Sequence, residues 1–200
     1  MSNKSANAQL VRIIGGKWRS RKIYFPDVPE LRPTADRIRE TLFNWLQGDI
    51  PGARCLDLFA GSGACGIEAL SRGSARVVFL DSNRLAVDAI GQALNNLDAI
   101  NYVVVCSDAT EWLRQPQEDK FDIVFLDPPF DHDLAPQACE LLEIRGLLAP
   151  GAKIYIESAR PIETEAVPEN WLQLRSGKAG SVYFYLYQSH GRSSTENDEQ

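Results

Sequence analysis

Five short apolar runs, separated by stretches of helical periodicity, dominate this 200-residue chain after residue 54. The runs lie at 55–59, 77–80, 102–106, 123–126 and 154–156, and the helical stretches lie near 64–72, 83–97, 109–114 and 134–147. Near-continuous apolar strands that alternate with helices are typical of a parallel sheet covered on both faces. The pattern predicts a doubly wound α/β fold with a mostly parallel, Rossmann-like sheet.

Both flanks of this pattern predict antiparallel strands. Residues 10–14 and 18–25 are rich in β-formers and meet at Gly15-Gly16, which indicates a hairpin. A helix is expected from Thr34 to about residue 47, with Ile38, Leu42, Trp45 and Leu46 toward a core. Residues 171–175 and 181–188, joined by 176–180, predict a second hairpin that completes seven strands.

The charge distribution separates the first hairpin from the rest. The formal net charge is −6, yet residues 1–50 carry nine Lys and Arg against five Asp and Glu, and residues 1–25 carry six basic residues and no acid. This asymmetry favours an edge that faces nucleic acid, although a solvated tail would have the same composition. We expect a disordered N-terminus (1–9), a basic hairpin appendage (10–33), a main domain (34–188) and a polar tail (189–200).

Composition argues against several classes of protein. No apolar run approaches the ~18 residues of a membrane helix, and the first ten residues lack the apolar segment of a secretory signal, so we expect a cytoplasmic protein. The four cysteines, Cys55, Cys65, Cys106 and Cys139, show no C-x-x-C spacing, and the chain has two histidines. We therefore expect no metal site and four buried, hydrophobic cysteines.

Acidic residues end the predicted strands. Asp57 lies within the first parallel strand, Asp81 and Asp127 close two others, and Asp108 follows a fourth. Ligands of doubly wound sheets bind beyond the carboxyl ends of the strands, so four carboxylates are expected at the binding edge. Each alone could be a helix cap.

The turn after the first strand carries a nucleoside-cofactor signature. Gly61, Gly63 and Gly66 satisfy G-x-G-x-x-G, and Asp81 follows Gly61 by 20 residues, where an acid binds ribose hydroxyls. The spacing does not separate a nicotinamide dinucleotide from another nucleoside cofactor. Asp57, close before the turn, suits a positively charged cofactor such as S-adenosylmethionine (SAM) better than a pyrophosphate.

The sequence Asp127-Pro128-Pro129-Phe130 predicts a stiff loop with acceptors and an aromatic face. Two prolines fix φ and remove two backbone donors, so the loop suits a planar donor such as the exocyclic amine of a nucleobase, which Phe130 can stack upon. Asp127 could accept the proton that such an amine loses on methylation. A rigid structural turn is the other interpretation.

These motifs resemble those of class I SAM-dependent amino-methyltransferases. Four further segments, RIIGGKWR at 12–19, LRPT at 31–34, DRIRETLFNW at 36–45 and GSVYFYLY at 180–187, resemble the RsmD family of 16S rRNA (guanine-N2)-methyltransferases over about residues 10–188. The resemblance implies methyl transfer from SAM to the N2 amine of one guanine, within an assembled or assembling small ribosomal subunit. Nothing in the sequence indicates an obligate interface, so we expect a monomer.

The resemblance also implies roles for individual residues. Asp127, Pro128, Pro129 and Phe130 would hold the flipped base. The cofactor would contact Thr34, Asp57, Phe59, Ala60, Gly61, Ser62, Gly63, Asp81, Ser82, Asp108 and Ala109. RNA phosphates would contact Lys17, Arg19, Arg21, Lys22, Arg32 and Arg37.

Three alternatives stay open at this point. Asp-Pro-Pro-aromatic loops also serve adenine-N6 methylation of DNA, but a target-recognition domain is missing. The glycine fingerprint alone would suit an NAD-dependent oxidoreductase, although Asp57 argues against one. A non-catalytic RNA-binding module would need no intact Asp127 loop.

Overall fold

The computed structural model describes residues 8–26, 36–129 and 134–191. Along the chain the elements are β1 (Ala8–Arg12), β2 (Lys22–Pro26), α1 (Asp36–Trp45), β3 (Arg54–Asp57), α2 (Ala64–Ser71), β4 (Arg76–Asp81), α3 (Arg84–Asn96), β5 (Tyr102–Cys106), α4 (Ala109–Arg114), β6 (Phe121–Leu126), α5 (Leu134–Ile144), β7 (Leu148–Ser158), β8 (Trp171–Ala179) and β9 (Val182–Ser189). Within these ranges, no helix has both the length and the apolar character needed to cross a membrane.

Seven strands form one sheet in the order β5-β4-β3-β6-β7-β9-β8, and β1 and β2 form a separate antiparallel pair. The five strands β3 to β7 run parallel to one another, whereas β9 pairs antiparallel with both β7 and β8. The chain builds the sheet outward from β3 to β5, then returns to β6 on the other side of β3. The predicted α/β architecture is confirmed, and its topological switch point lies between β3 and β6.

Alternate residues of the central strands enter two cores, one on each face of the sheet. Cys55 packs in the core formed with Leu42 of α1, Ile67 of α2 and Ile90 of α3. The next residue, Leu56, lies in the opposite core, which contains Leu113 of α4 and Leu142 of α5. Burial on both faces explains why these strands are continuous apolar runs.

The N-terminal hairpin differs from the prediction at its connection. The strand expected over 18–25 begins at Lys22, and residues Gly16–Trp18 form a 3₁₀ turn. Trp18 is buried, and its amide N–H donates to Ser71 Oγ at 3.0 Å, so the turn packs onto α2 and does not continue the strand. Thr34 lies outside the described residues, and α1 begins at Asp36.

The C-terminal hairpin has a tighter turn than predicted. The expected loop over 176–180 is wrong, because β8 continues to Ala179. A Cβ built on Gly177 would lie 2.3 Å from the Phe184 ring, so this glycine accommodates a cross-strand aromatic side chain. Trp45, expected in the core, is half-buried with its ring centroid 5.5 Å from that of Phe184.

The expectation of four buried cysteines is wrong at one position. Cys55, Cys65 and Cys139 are buried, but Cys106 is exposed. Cys106 is the last residue of β5, and β5 is an edge strand of the seven-stranded sheet. An apolar run alone did not distinguish the edge strand from the central ones.

Candidate cofactor and substrate site

Four acidic residues lie at the carboxyl edge of the sheet, beside the switch point. Asp57 is the last residue of β3 and Asp81 the last residue of β4. Asp127 directly follows β6, and Asp108 follows β5 by two residues. Because β3, β4, β5 and β6 are parallel, the topology brings these four carboxylates to one edge, as the sequence predicts.

Asp57 is the buried member of this group. Asp57 is 4% exposed, and the Gly66 amide N–H donates to its Oδ2 at 2.8 Å. Burial raises the pKa of the Asp57 carboxyl to about 7, and the nearby charges of Asp127 and Asp81 also raise it, against the lowering effect of the Gly66 hydrogen bond. The protonation state of the Asp57 carboxyl therefore changes near neutral pH.

The glycine turn is held by the carboxylate of Asp81. The Gly61 amide N–H donates to Oδ2 of Asp81 at 2.7 Å, and the Asn83 amide N–H donates to Oδ1 at 2.8 Å. Gly61 and Gly63 have φ of 52° and 73°, in the left-handed region that favours glycine. Asp81 thus fixes the turn and the start of α3 together.

Gly66 allows α2 to pack closely on the sheet. A Cβ at this position would lie 2.2 Å from the Phe79 ring of β4. The third glycine of the fingerprint therefore serves helix–strand packing, which is its role in nucleoside-binding folds of this kind. Beside the turn, Ala60 and Ser62 are buried and Phe59 is half-buried.

Asp108 is a helix cap. Its Oδ1 accepts from the Thr110 amide N–H at 2.8 Å, the Thr110 hydroxyl at 2.7 Å and the Glu111 amide N–H at 2.9 Å. The Thr110 hydroxyl and these amides lower the pKa of the Asp108 carboxyl. Ala109 is buried at the start of α4, and Ser82 is exposed at the end of β4.

The Asp127 loop borders a cavity of about 530 Å³. Asp127 is half-buried, Pro128 buried and Pro129 exposed. Both prolines line the cavity, with Glu157 at the end of β7 and Cys139 of α5 on other walls. Phe130 lies outside the described residues, so the expected aromatic face of the loop stays a prediction.

Glu157 is a site residue that the sequence analysis missed. It is buried, and the Tyr155 hydroxyl donates to its Oε1 at 2.8 Å. Burial raises the pKa of the Cys65 thiol well above its usual value, and the charges of Asp57, Glu157 and Asp127 add to the rise. The signal was present, because Glu157 follows the apolar run 154–156 just as Asp127 follows 123–126.

A second missed residue, Glu68, fixes the N-terminal hairpin on α2. Glu68 is fully buried, and it accepts from the amide N–H groups of Ile14 at 2.8 Å and Gly15 at 2.7 Å. Arg72 donates to the same carboxylate at 2.6 Å. Because α2 begins at the glycine turn, the hairpin is attached to the element that carries the cofactor motif.

Arg39 of α1 is the third residue that sequence periodicity did not single out. It is fully buried, and Nη2 donates to Asp36 Oδ1 at 2.6 Å and to the Arg12 carbonyl at 2.9 Å. Its Nε and Nη1 have no hydrogen-bond partner in the part of the chain that the structure describes. Arg39 therefore links α1 to the end of β1.

The predicted RNA contacts lie on the hairpin surface. Lys17, Arg19, Arg21 and Lys22 are all exposed, and so is Arg37 on α1. The Nζ of Lys17 lies 4.1 Å from the Trp18 ring centroid, and Arg21 Nη2 donates to the Asn96 carbonyl at 2.6 Å. Arg32 is outside the described residues.

Across the described ranges, no group of three or more His, Cys, Asp or Glu side chains could hold a metal ion.

Residues 11–188 match the family model described as "Conserved hypothetical protein 95". The chain is 45% identical over 196 residues to ribosomal RNA small subunit methyltransferase D of Escherichia coli strain K12, with 98% of each chain covered. It is 44% identical over 184 residues to the protein of the same name from Haemophilus influenzae, covering 90% of this chain and 94% of the relative. A solved structure titled putative methyltransferase yhhF from Escherichia coli has a TM-score of 0.82 and 46% identity, covering 92% of this chain and all of that one.

Proposed function

The chain belongs to the RsmD family, and from this premise we propose that it transfers a methyl group from SAM to the exocyclic N2 amine of one guanine in small-subunit ribosomal RNA. The observation that carries the proposal is the juxtaposition at the switch point. A glycine turn held by Asp81 lies beside an acceptor-rich Asp127-Pro128-Pro129 loop, on neighbouring parallel strands. One half of this edge suits a nucleoside cofactor and the other half suits an amine.

The residues of the glycine turn fit SAM by their chemistry. Gly61, which has positive φ and no side chain, leaves room for a ligand against the backbone, whereas Gly63 packs inward, since a Cβ there would lie 2.9 Å from Ile90 Cγ1. The Asp57 carboxylate suits the positive charge of the methionyl group. In this assignment Asp81 accepts from the ribose hydroxyls in addition to the two amides that it already holds.

Further residues complete the proposed cofactor site. Bound there, SAM supplies an electrophilic methyl group on a sulfonium. The turn residues Phe59, Ala60 and Ser62 would line the methionyl side, with Thr34 nearby. Ser82, Asp108 and Ala109 would line the adenine side, where Asp108 retains its role as the cap of α4.

The Asp127 loop would hold and activate the amine. The Asp127 carboxylate and the Pro128 carbonyl are acceptors for the two N–H groups of N2, and hydrogen bonds to both would point the nitrogen lone pair toward the methyl group. Such positioning alone can lower a barrier by roughly 7–11 kcal/mol. As the N–C bond forms and the methyl–sulfur bond breaks, a neutral thioether would leave, the amine would become acidic, and Asp127 would accept the proton that it releases. Pro129 would stiffen the loop and Phe130 would stack on the base.

The basic hairpin would bind the RNA backbone. Lys17, Arg19, Arg21, Lys22 and Arg37 are exposed cations on a chain with a net charge of −6, so they form a local exception to its overall charge. Arg32 would join them. Neutralisation of RNA phosphates by these cations predicts binding that weakens steeply with salt.

Transfer of labelled methyl from SAM tests the proposal directly. The substrates are small ribosomal subunits that lack the modification, naked 16S rRNA, and a DNA duplex. Label on the N2 of one guanine in either RNA substrate is the expected result, and the naked-RNA arm separates a free-RNA substrate from an assembled particle. Label on adenine N6, or none on any substrate while SAM binds, would overturn the proposal.

A further inference from the structure

The two strands of the N-terminal hairpin have one buried face and one exposed face. Val11, Ile23 and Phe25 point inward and are each 2% exposed. Val11 and Phe25 pack with Ala64 of α2 and Ala86 of α3. The alternate positions Leu10, Arg12, Lys22 and Tyr24 are exposed, and together we call them the outer face.

The outer face contains two exposed cross-strand pairs. Leu10 lies directly opposite Tyr24, with 49% and 59% of their surfaces exposed. Arg12 lies directly opposite Lys22. Like charges directly opposite on a sheet destabilise it, so stability does not explain the Arg12–Lys22 pair. The Leu10–Tyr24 pair leaves an aromatic ring and an aliphatic side chain open to a ligand.

No acidic group neutralises this face in the described structure. Neither Arg12 nor Lys22 forms an ion pair with a described residue, although exposed arginines elsewhere, such as Arg84, do. Residues 1–25 contain no Asp or Glu. A polyanion is the partner whose charge complements an arginine opposite a lysine.

The hairpin is held firmly enough to present this face in a fixed position. Glu68 accepts from two successive amides of the turn, and the Ser71 hydroxyl donates to the Gly15 carbonyl at 2.6 Å. Directly before β2, Arg21 Nη2 donates to the Asn96 carbonyl at the end of α3. A ligand bound to the outer face is thereby positioned relative to the glycine turn that precedes α2.

We propose that the outer face is a stacking platform for an unpaired nucleobase of the RNA substrate, with the Tyr24 ring against the base and Arg12 and Lys22 on the adjoining phosphates. The inference rests on the proposed function, since it names how that substrate is bound. Tyr24 and Lys22 are two residues apart on one strand, so their Cα atoms are about 7 Å apart. That spacing suits a base and a neighbouring phosphate of one strand.

Stacking on an aromatic ring requires an unpaired base, which gives the proposal a measurable signature. Base–aromatic stacking depends on the π-face and not on salt, whereas phosphate contacts add to the salt slope. The proposal therefore predicts that Tyr24 and the two cations contribute separable effects. Tyr24 should set the preference for single strands, and Arg12 with Lys22 should set part of the salt dependence.

Fluorescence anisotropy with a labelled single-stranded RNA of about twelve nucleotides, and with its duplex, measures both effects across a salt series. Tyr24→Ala should weaken single-strand binding roughly 5- to 150-fold at every salt concentration with an unchanged slope, and should reduce the preference over duplex. Tyr24→Phe should retain binding. Arg12→Gln with Lys22→Gln should lower the log–log slope by about 1.4, at about 0.7 per phosphate.

Matched controls are taken from outside the hairpin. Ile100→Ala removes an exposed apolar side chain, 67% exposed, and Lys120→Gln with Arg145→Gln removes two exposed cations. Neither control should change single-strand affinity or slope by as much. Hydrogen exchange at Ile14, Gly15 and across β2 that matches the wild type in Tyr24→Ala would show that the hairpin remains folded.

The outcomes separate this inference from the proposed function. If Tyr24→Ala binds the single strand as tightly as the wild type, the platform is overturned, while methyl transfer to rRNA by the wild type keeps the proposed function. If Tyr24→Ala weakens binding to ribosomal particles alone, the face contacts a ribosomal protein and the inference is also wrong. Loss of single-strand binding on Tyr24→Ala, in a protein that methylates no RNA, would support the platform and overturn the function.

Discussion

The Gly66 amide N–H and the Asp57 carboxylate are joined by a 2.8 Å hydrogen bond that spans the glycine turn. Asp57 ends β3, and Gly66 is the third residue of α2, so the bond connects a strand end to the first turn of the following helix. A free amide in the first turn of a helix stabilises a carboxylate. Burial works against that carboxylate more strongly, because the pKa of Asp57 is raised overall.

This balance predicts a pH-dependent stability that Asp57→Asn removes. The pKa of Asp57 rises from 3.8 to about 7 on folding, so between these values the folded protein holds a proton that the unfolded chain has released. The contribution of Asp57 to stability is therefore lost as pH rises from about 4 to 7. Between pH 5 and 8 we expect the wild type to lose about 2–3 kcal/mol more unfolding free energy than Asp57→Asn, measured by urea denaturation.

Asp88→Asn is the control for the Asp57 measurement. Asp88 is exposed on α3 and pairs with Arg84 on the same helix, so its removal should leave the pH dependence of the wild type intact. Parallel pH profiles for the wild type and Asp57→Asn would contradict the raised pKa.

Gly66→Ala tests the contact between α2 and β4. The new Cβ would lie 2.2 Å from the Phe79 ring, which is buried and cannot move aside. We expect a loss of about 1–3 kcal/mol in the free energy of unfolding, and partial recovery in Gly66→Ala with Phe79→Leu. Gly91→Ala is the matched control, since Gly91 lies within α3 and a methyl group there would meet no described atom within 4 Å, and it should gain about 0.5–1 kcal/mol. Equal effects at the two glycines would refute the packing role.

Asp127→Ala should remove methyl transfer and spare the cofactor. Without the carboxylate, the substrate amine would lose a hydrogen-bond acceptor and the base that takes up its proton. We therefore expect the transfer rate to fall roughly 10²- to 10⁴-fold. Asp127→Asn keeps a carbonyl oxygen at the same place and should fall less. Calorimetric SAM affinity should change by no more than a few-fold in both, because Asp81 and the glycine turn remain. Loss of SAM binding in Asp127→Ala would contradict this assignment and would show that the loop binds the cofactor.

The central strands could be predicted from the sequence because they are buried on both faces. Residues 77–80 and 123–126 could be placed as strands without tertiary information, and strand-ending acids such as Asp81 and Asp127 could be assigned to one edge. Features set by contacts between distant segments could not be found this way. Gly177 looked like a loop residue, but it lies under Phe184 within a strand.

The buried charges were missed for the same reason. Glu68 occurs in a helix where an acid is ordinary, and its partners Ile14 and Gly15 are more than 50 residues away. Arg39 was similar to any surface arginine of an amphipathic helix. Burial of a charge is decided by which segment covers it, and the periodicity of one helix does not contain that information.

Glu68→Ala should release the hairpin from α2 without unfolding the sheet. The substitution leaves the amides of Ile14 and Gly15 without their acceptor and leaves Arg72 without its partner, and breaking a buried pair of this kind costs about 3–5 kcal/mol. Hydrogen exchange should accelerate at Ile14, Gly15 and across β2, whereas the amides of β4 should keep their protection because the central sheet does not depend on this contact. If β4 exchanged as fast as β2, the hairpin and the sheet would form one cooperative unit and a separable appendage would be ruled out.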